Sequence, residues 1–411
     1  MPVSSGDTAW ILISSALVML MTPGVALFYG GMVRRKNLLS TIMMSFICLG
    51  VVSLLWVLYG YSLSFGSDKI GIIGGLDFIG LMNVGQEPSP TYASTIPHLA
   101  FMMFQAMFAI ITVALITGSI VERMKFGALL IFSVLWLTVV YCPIAHWVWG
   151  NGGWLARFGV MDFAGGAVVH INAGVSAMAL VMLLGRRRGF PHEPMEPNNI
   201  PLVVLGAGLL WFGWFGFNGG SSLISDGLAA SAFAATHISA AAAALTWMIV
   251  SWVHRRPTLL GTVTGAVAGL VAITPAAGFV TPLAGIPIGI VAALVCYYSM
   301  LLLKIKRGID DSLDVFAVHG MGGIWGALAT GIFSSLAVNS GGADGLLLGN
   351  AIPLLKQLVS VVAVGGFAFT ATWILGKVVD LTIGLRVEYR EETVGLDLSQ
   401  HGERAYGGLI R

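Results

Sequence analysis

Two histidines stand inside apolar stretches of this chain. His170 lies in DFAGGAVVHINAGVSAMALVML and His319 in DVFAVHGMGGIWGALATGIF, each with an aspartate, Asp162 or Asp314, one to two turns earlier. An ionisable group in hydrocarbon is costly, and where one occurs it lines a path for an ion, a proton or a polar solute. A neutral imidazole carries one donor and one acceptor, so a pair of them suits hydrogen bonding to a small solute and the passing of a proton. The pairing therefore predicts a pore. Ligation of a haem between helices is the competing use of the same two rings.

The elements that hold such a pair are membrane spans. Of the 411 residues, 57% are hydrophobic and only 10% charged, against roughly 25% charged in soluble domains. The 54 glycines suit helices whose backbones approach closely, as do the pairs Gly265/Gly269, Gly285/Gly289 and Gly322/Gly326. Runs of about 20 apolar residues predict eleven spans, near 8–33, 39–63, 95–118, 126–148, 162–185, 200–220, 227–253, 258–277, 282–303, 314–334 and 353–384. The opening MPVSSGDTAW lacks the basic region of a signal peptide, so the first stretch is expected to be retained as a span. The fold expected is an all-α polytopic membrane protein.

Charge tests that count. Arg34, Arg35, Lys36, Arg123, Lys125, Arg186, Arg187, Arg188, Arg255, Arg256, Lys304, Lys306 and Arg307 fall in one alternate set of loops, while Lys69, Arg157 and Lys356 fall in the other. This positive-inside bias predicts an outside N-terminus and a cytoplasmic C-terminus. The basic clusters thus report topology and do not point to nucleic acid. Cys48, Cys142 and Cys296 show no CxxC spacing and read as packing thiols, and no phosphate-binding loop supports ATP-driven pumping. Neither an enzyme nor a cofactor or metal site is expected.

A repeat is legible within the spans. ALFYGG (26–31) in the first span is echoed by FGFNGG (215–220) in the sixth, and Asp162/His170 in the fifth by Asp314/His319 in the tenth. Two halves with an odd number of spans each are inverted with respect to one another. At about 1.5 Å rise per residue, each histidine sits on the order of 10 Å from its aspartate, and the two rings are expected to meet near the midplane. The aspartates read as helix caps that also support the histidines. The expected organisation is a membrane domain over 1–385, with halves at about 8–190 and 198–335 and an extra long helix at about 353–385, then a tail at 386–411. His237 is a third mid-span histidine without an aspartate or a repeat copy, expected between helices or at a subunit contact. His98 and His146 fall near outer span ends.

ALFYGGMVRRKN, YCPIAHWVWG, DFAGGAVVHIN, WFGWFGFNGGS, DVFAVHGMGG and GLDLSQHGERAY together resemble the ammonium transporter family (the Amt, Mep and Rh proteins), on its bacterial and archaeal Amt side. The resemblance runs from Trp10 to the tail. It implies a plasma-membrane homotrimer with one pore per subunit, carrying ammonium/ammonia and its traceable analogue methylammonium. By match of motif, Trp149, Phe108 and Ser221 form an outer ammonium site with Phe104 beside it, and Phe108 and Phe217 gate the pore. Asp162 lies below that site, His170 and His319 are the pore histidines, and Val25, Trp214 and Val315 line the conduit. The tail RVEYREETVGLDLSQHGERAY is a solvated segment by composition, whereas the resemblance implies that it packs on the cytoplasmic face. It also implies docking of a P-II type signalling protein. An ammonium sensor that transports little is the alternative within the family.

These residue types suit a cation that can shed a proton. Aromatic faces attract a cation by roughly 0.5–2 kcal/mol each, and a hydroxyl accepts a hydrogen bond from an N–H. A bare ion entering low dielectric costs many kcal/mol, so a protein neutralises it instead. Ammonium leaves its proton and passes as ammonia, whereas potassium and sodium have none to give.

Overall fold

The computed structural model describes residues 2–407. Ten helices among them are long and apolar enough to cross a bilayer: α1 Ser5–Met32, α2 Arg35–Phe65, α3 His98–Ile120, α4 Phe126–Phe158, α5 Gly166–Leu184, α6 Ile200–Ser222, α7 Gly227–His254, α9 Pro282–Lys306, α10 Phe316–Phe333 and α11 Ile352–Ile383. The remaining expected span is α8, Leu259–Ile273, a shorter apolar helix that continues in turns over 274–280. Every stretch read as a span is thus a helix. Hydrocarbon offers no partner for backbone N–H and C=O groups, and a helix satisfies them within itself.

Side chains stop the free ends. Asp226 accepts from Leu228 N and Ala229 N at the start of α7, Asn199 from Leu202 N at α6, and Thr258 from Gly261 N at α8. The long connection between α2 and α3 carries two small antiparallel pairs, β1 (Asp68–Lys69) with β2 (Ile73–Gly74) and β3 (Pro88–Ser89) with β4 (Ala93–Pro97).

Glycine decides which helices touch. α1 and α6, the first helices of the two halves, are the most extensively packed pair. A β-carbon at Gly206 would overlap the Phe28 backbone nitrogen, and one at Gly213 the Met21 side chain. Where α5 crosses α10, a β-carbon at Gly174 would overlap Gly320, and one at Gly323 would lie 3.0 Å from Ile171 N. Lipid gives apolar helices no reason to leave it, so such close van der Waals approach holds the bundle.

The face bearing the arginine clusters is sealed by buried charge. Glu122, 1% exposed, accepts from Arg34 N and Nε, Asn37 Nδ2 and Arg187 Nη1. Arg187 in turn makes a bidentate pair with Asp310, and Arg123 donates to Ser312 Oγ and the Asp310 carbonyl. Burial pushes the Glu122 carboxyl up, but the Arg187 and Arg34 guanidinium groups outweigh it and hold Glu122 below its ordinary value. The same contest leaves Asp310 lowered by Arg187.

The tail is not a loose polar strand. It forms α12 (Tyr389–Val394) and α13 (Leu396–His401) and docks on this network. Lys36 Nζ donates to the Glu392 and Thr393 carbonyls, Leu396 N to Asn37 Oδ1, and Ser40 N to Asp397 Oδ1. Arg386 pairs with Glu392 at 2.7 Å, and Tyr406 Oη donates to Asn198 Oδ1. Composition alone suggested solvation; the polar groups are instead engaged by the loops of the bundle, as the family resemblance implied.

Removing Arg187 strands two buried carboxylates, so Arg187→Ala is expected to lower stability by about 3–5 kcal/mol, read as a fall in Tm in detergent. Glu122 and Asp310 are depressed when folded, so their contribution is present above their unfolded values and lost as pH falls through the folded ones. Proteolytic nicking of the tail is therefore expected to rise only in acid, below the ordinary Glu and Asp values of 4.5 and 3.8.

Candidate functional site

Three cavities lie along the bundle, one on the face opposite the arginine clusters, a small one beside the two histidines and one on the arginine face. The first, of about 390 Å³, is lined by Phe104, Gln105, Phe108, Trp149, Asp162 and Ser221 among others. Phe108 lies edge-on to Trp149 at 5.7 Å and to Phe104 at 4.9 Å. Trp149 Nε1 donates to the Asp162 carbonyl at 2.9 Å, which fixes the indole in the cavity lining. Ser221 Oγ donates its proton to the Phe217 carbonyl at 2.8 Å, so the lone pairs left on that oxygen are acceptors. All four residues expected at the ammonium site thus come together.

Below them, Phe108 and Phe217 stack at 4.3 Å and 30°, both buried. Phe217 also stacks on His170 at 6.0 Å, and Trp214 on His170 at 5.4 Å and 19°. His170 Nδ1 and His319 Nδ1 are 3.2 Å apart, with ring planes 23° from parallel. Both ring nitrogens at this contact share one proton, so one ring carries it on Nδ1 and the other accepts. His170 Nε2 has no partner among the described residues. The space beside the rings is a sliver of about 10 Å³ lined by Met21, Val25, Phe28, Ile111, Leu115 and Trp214, among others. Val25 and Trp214 thus line the conduit as expected. Val315 packs near Gly118 and Tyr29 and is not part of that lining. His319 and Asp314 also border the cavity on the arginine face, of about 540 Å³.

The two aspartates differ. Asp162 accepts from four backbone N–H groups, Gly165 and Gly166 on Oδ1 and Ala167 and Val168 on Oδ2, at 2.6–3.1 Å. It thereby caps the wide π-helical turn Gly166–Ile171 that carries His170. Asp314 does nothing comparable: it sits at φ 62° and pairs with Lys304 at 2.8 Å. The partner of Asp162 in the second half is Asp311, whose carboxylate accepts from Phe316 N at 2.8 Å and Ser119 Oγ at 2.6 Å and so heads the π-helical turn Phe316–Gly320 that carries His319. Asp162 precedes His170 by eight residues and Asp311 precedes His319 by the same number. That spacing was readable in the sequence, and the nearer aspartate masked it. Sequence reasoning also passed over Gln357 of α11, whose amide donates to the Met161 carbonyl next to Asp162.

The haem reading does not fit these rings. An iron ligated by two imidazoles holds the nitrogens about 4 Å apart, at ~2 Å per bond, and needs room for a macrocycle beside them. Removing the carboxylate of Asp311 is expected to cost about 2 kcal/mol, as for a lost helix cap with charge-assisted bonds. Asp314→Ala, at a partly exposed ion pair, is expected to cost under about 1 kcal/mol. Tm shifts of the two variants in the same detergent compare them.

Residues 9–406 match the model of the Ammonium Transporter Family. The chain is 52% identical over 402 residues to an ammonium transporter of Bacillus subtilis, covering 98% of each chain. It is 53% identical to the ammonium transporter Amt1 of Archaeoglobus fulgidus, covering 98% of this chain and 100% of that one. Among solved structures, Mep2 of Candida albicans superposes with a TM-score of 0.89 at 38% identity, covering 98% of this chain and 90% of that one. A protein described as a sensor Amt superposes with a TM-score of 0.88 at 28% identity, covering 96% and 98%.

Proposed function

The chain belongs to the ammonium transporter family, and we propose that it moves ammonium across the plasma membrane by recruiting the cation, taking its proton and passing ammonia between two histidines. The observation that carries this is the 3.2 Å pair of imidazoles inside an otherwise apolar conduit. A cation resting against Trp149 and Phe108 gains the attraction of two aromatic faces and donates to Ser221 Oγ. The stacked phenylalanines and the narrow apolar space beyond them offer no replacement for its hydration, so the ion loses its proton before entering.

Ammonia is a modest polar solute that both donates and accepts. Because one proton lies between the two Nδ1 atoms, one Nε2 is an acceptor and the other a donor; the roles exchange when the acceptor Nε2 takes up a proton, the shared proton crosses to the other Nδ1 and the far Nε2 releases its own. Asp162 and Asp311 hold these rings from opposite ends of the bundle. Potassium matches ammonium in charge but cannot enter as a neutral molecule. The transporters at 52–53% identity support transport over a purely sensing role.

The arginine-rich loops support a cytoplasmic location for that face and the docked tail, with the Trp149 cavity outside. A homotrimer is supported by His237, which is exposed on the flank of α7 at membrane depth beside Trp211, whose indole N–H lacks a partner among the described residues. Polar groups at that depth are covered by protein rather than lipid. The 540 Å³ inner cavity, open between Asp314, His254 and Arg255, is the place offered to a loop of a P-II type regulator.

Uptake of labelled methylammonium into proteoliposomes tests the mechanism. His170→Ala and His319→Ala are each expected to lower uptake about ten-fold, the equivalent of one lost hydrogen bond of ~1.4 kcal/mol. A large excess of potassium is expected to leave wild-type uptake unchanged. Strong block by potassium, or two alanine variants that behave as wild type, counts against it.

A further inference from the structure

Trp149 is the last residue of its helical stretch, Cys142–Trp149, and the glycine-rich break Gly150, Asn151, Gly152, Gly153 comes directly after it. A glycine-flanked helix end leaves the direction of its last side chain largely to the contacts around it. Besides the Asp162 carbonyl that holds its indole N–H, the contacts that grip the turn before it place Trp149. One turn earlier stands His146, which is 0% exposed and plays no part in the conduit.

Both ring nitrogens of His146 face oxygens that only accept. Nδ1 is 2.9 Å from the Ser64 carbonyl, and Nε2 is 3.0 Å from Asp68 Oδ1. A carbonyl has no proton to give. Asp68 is an ionised carboxylate: its bond to His146, the Gly71 N–H and the Arg157 guanidinium hold it below the usual carboxylate range against partial desolvation. Each ring nitrogen thus faces an oxygen to which an N–H can be donated, so the ring is fixed from both sides.

The grip spreads from there. Asp68 also accepts from Gly71 N at 2.7 Å and from Arg157 Nη2 at 3.0 Å. Trp147 Nε1 donates to the Ile72 carbonyl at 2.8 Å, and Trp154 N to the Gly71 carbonyl at 3.1 Å. The β1–β2 hairpin, the end of α2 and both sides of the break in α4 are thus tied together, and His146 makes two of those ties. The break closes around it: a β-carbon at Gly150 would overlap His146 Nδ1, and one at Gly153 the His146 carbonyl.

We propose that His146, held between the Ser64 carbonyl and Asp68, is a positioning residue that aims Trp149 at the recruited cation. The inference rests on the proposed role of Trp149 in recruitment. Its effect is on how well the cation is caught rather than on how ammonia passes, because His146 touches neither the phenylalanine gate nor the paired histidines.

The test measures methylammonium uptake by full-length protein in proteoliposomes as a function of concentration. Trp149→Leu is expected to raise the half-saturating concentration roughly three- to ten-fold, the equivalent of one lost cation–π face, with little change in maximal rate. His146→Gln is expected to raise it similarly, and the double variant no further than either single one. Asp68→Asn reads the same coupling should His146→Gln fail to fold. If Trp149→Leu changes nothing, the recruitment reading falls and this inference with it. If Trp149→Leu acts while His146→Gln has no effect, or adds fully to it, only the positioning inference is overturned.

Discussion

The molecule depends on the absence of two side chains. At Gly174, four residues after His170, the backbone of α5 lies against Gly320; at Gly323, four residues after His319, the backbone of α10 lies against Ile171 and the His170 Cβ. The contacts answer one another across the pseudo-twofold relation of the halves. They bring the two helices to backbone contact, and only that approach allows two imidazoles projecting from them to come within 3.2 Å. A β-carbon at Gly174 would overlap the Gly320 backbone, so α5 and α10 would have to separate there.

With the approach settled, electrostatics does the local work. Each histidine rides on a π-helical turn whose leading N–H groups meet a carboxylate, and the pull of the unsatisfied helix start on negative charge makes such a carboxylate stable where hydrocarbon would reject it. On the arginine face the same economy appears in another form. Buried Glu122 and Asp310 are tolerated only because Arg187 and Arg34 complete their hydrogen bonding, and that assembly gives the tail a polar floor to lie on.

The spans were legible because hydrocarbon imposes a length and an apolar composition on anything that crosses it; α8 alone is short, since it finishes in turns rather than helix. The stacked phenylalanines, Trp149, Ser221 and the two histidines were legible from motifs, and their geometry agrees. The illegible parts have physical causes. Asp314 looked right because it lies nearer His319 in sequence, yet capping a wide turn needs a carboxylate that reaches back from farther away, and Asp311 does this. The tail looked solvated because composition does not reveal which polar groups find partners hundreds of residues distant. His146 looked like an ordinary interfacial histidine, because the acceptors on both sides of its ring come from a different span and a hairpin.

The phenylalanine stack also sets how the membrane is kept tight. With the two rings 4.3 Å apart and only about 10 Å³ of space beyond them, there is room beside the histidines for about one water and not for a standing column. A solute taking this path would have to part the rings for itself. A channel built on a standing water column would leak hydronium and drain the gradient that powers the cell; one that opens only for the molecule passing through can remain in an energised membrane at little cost.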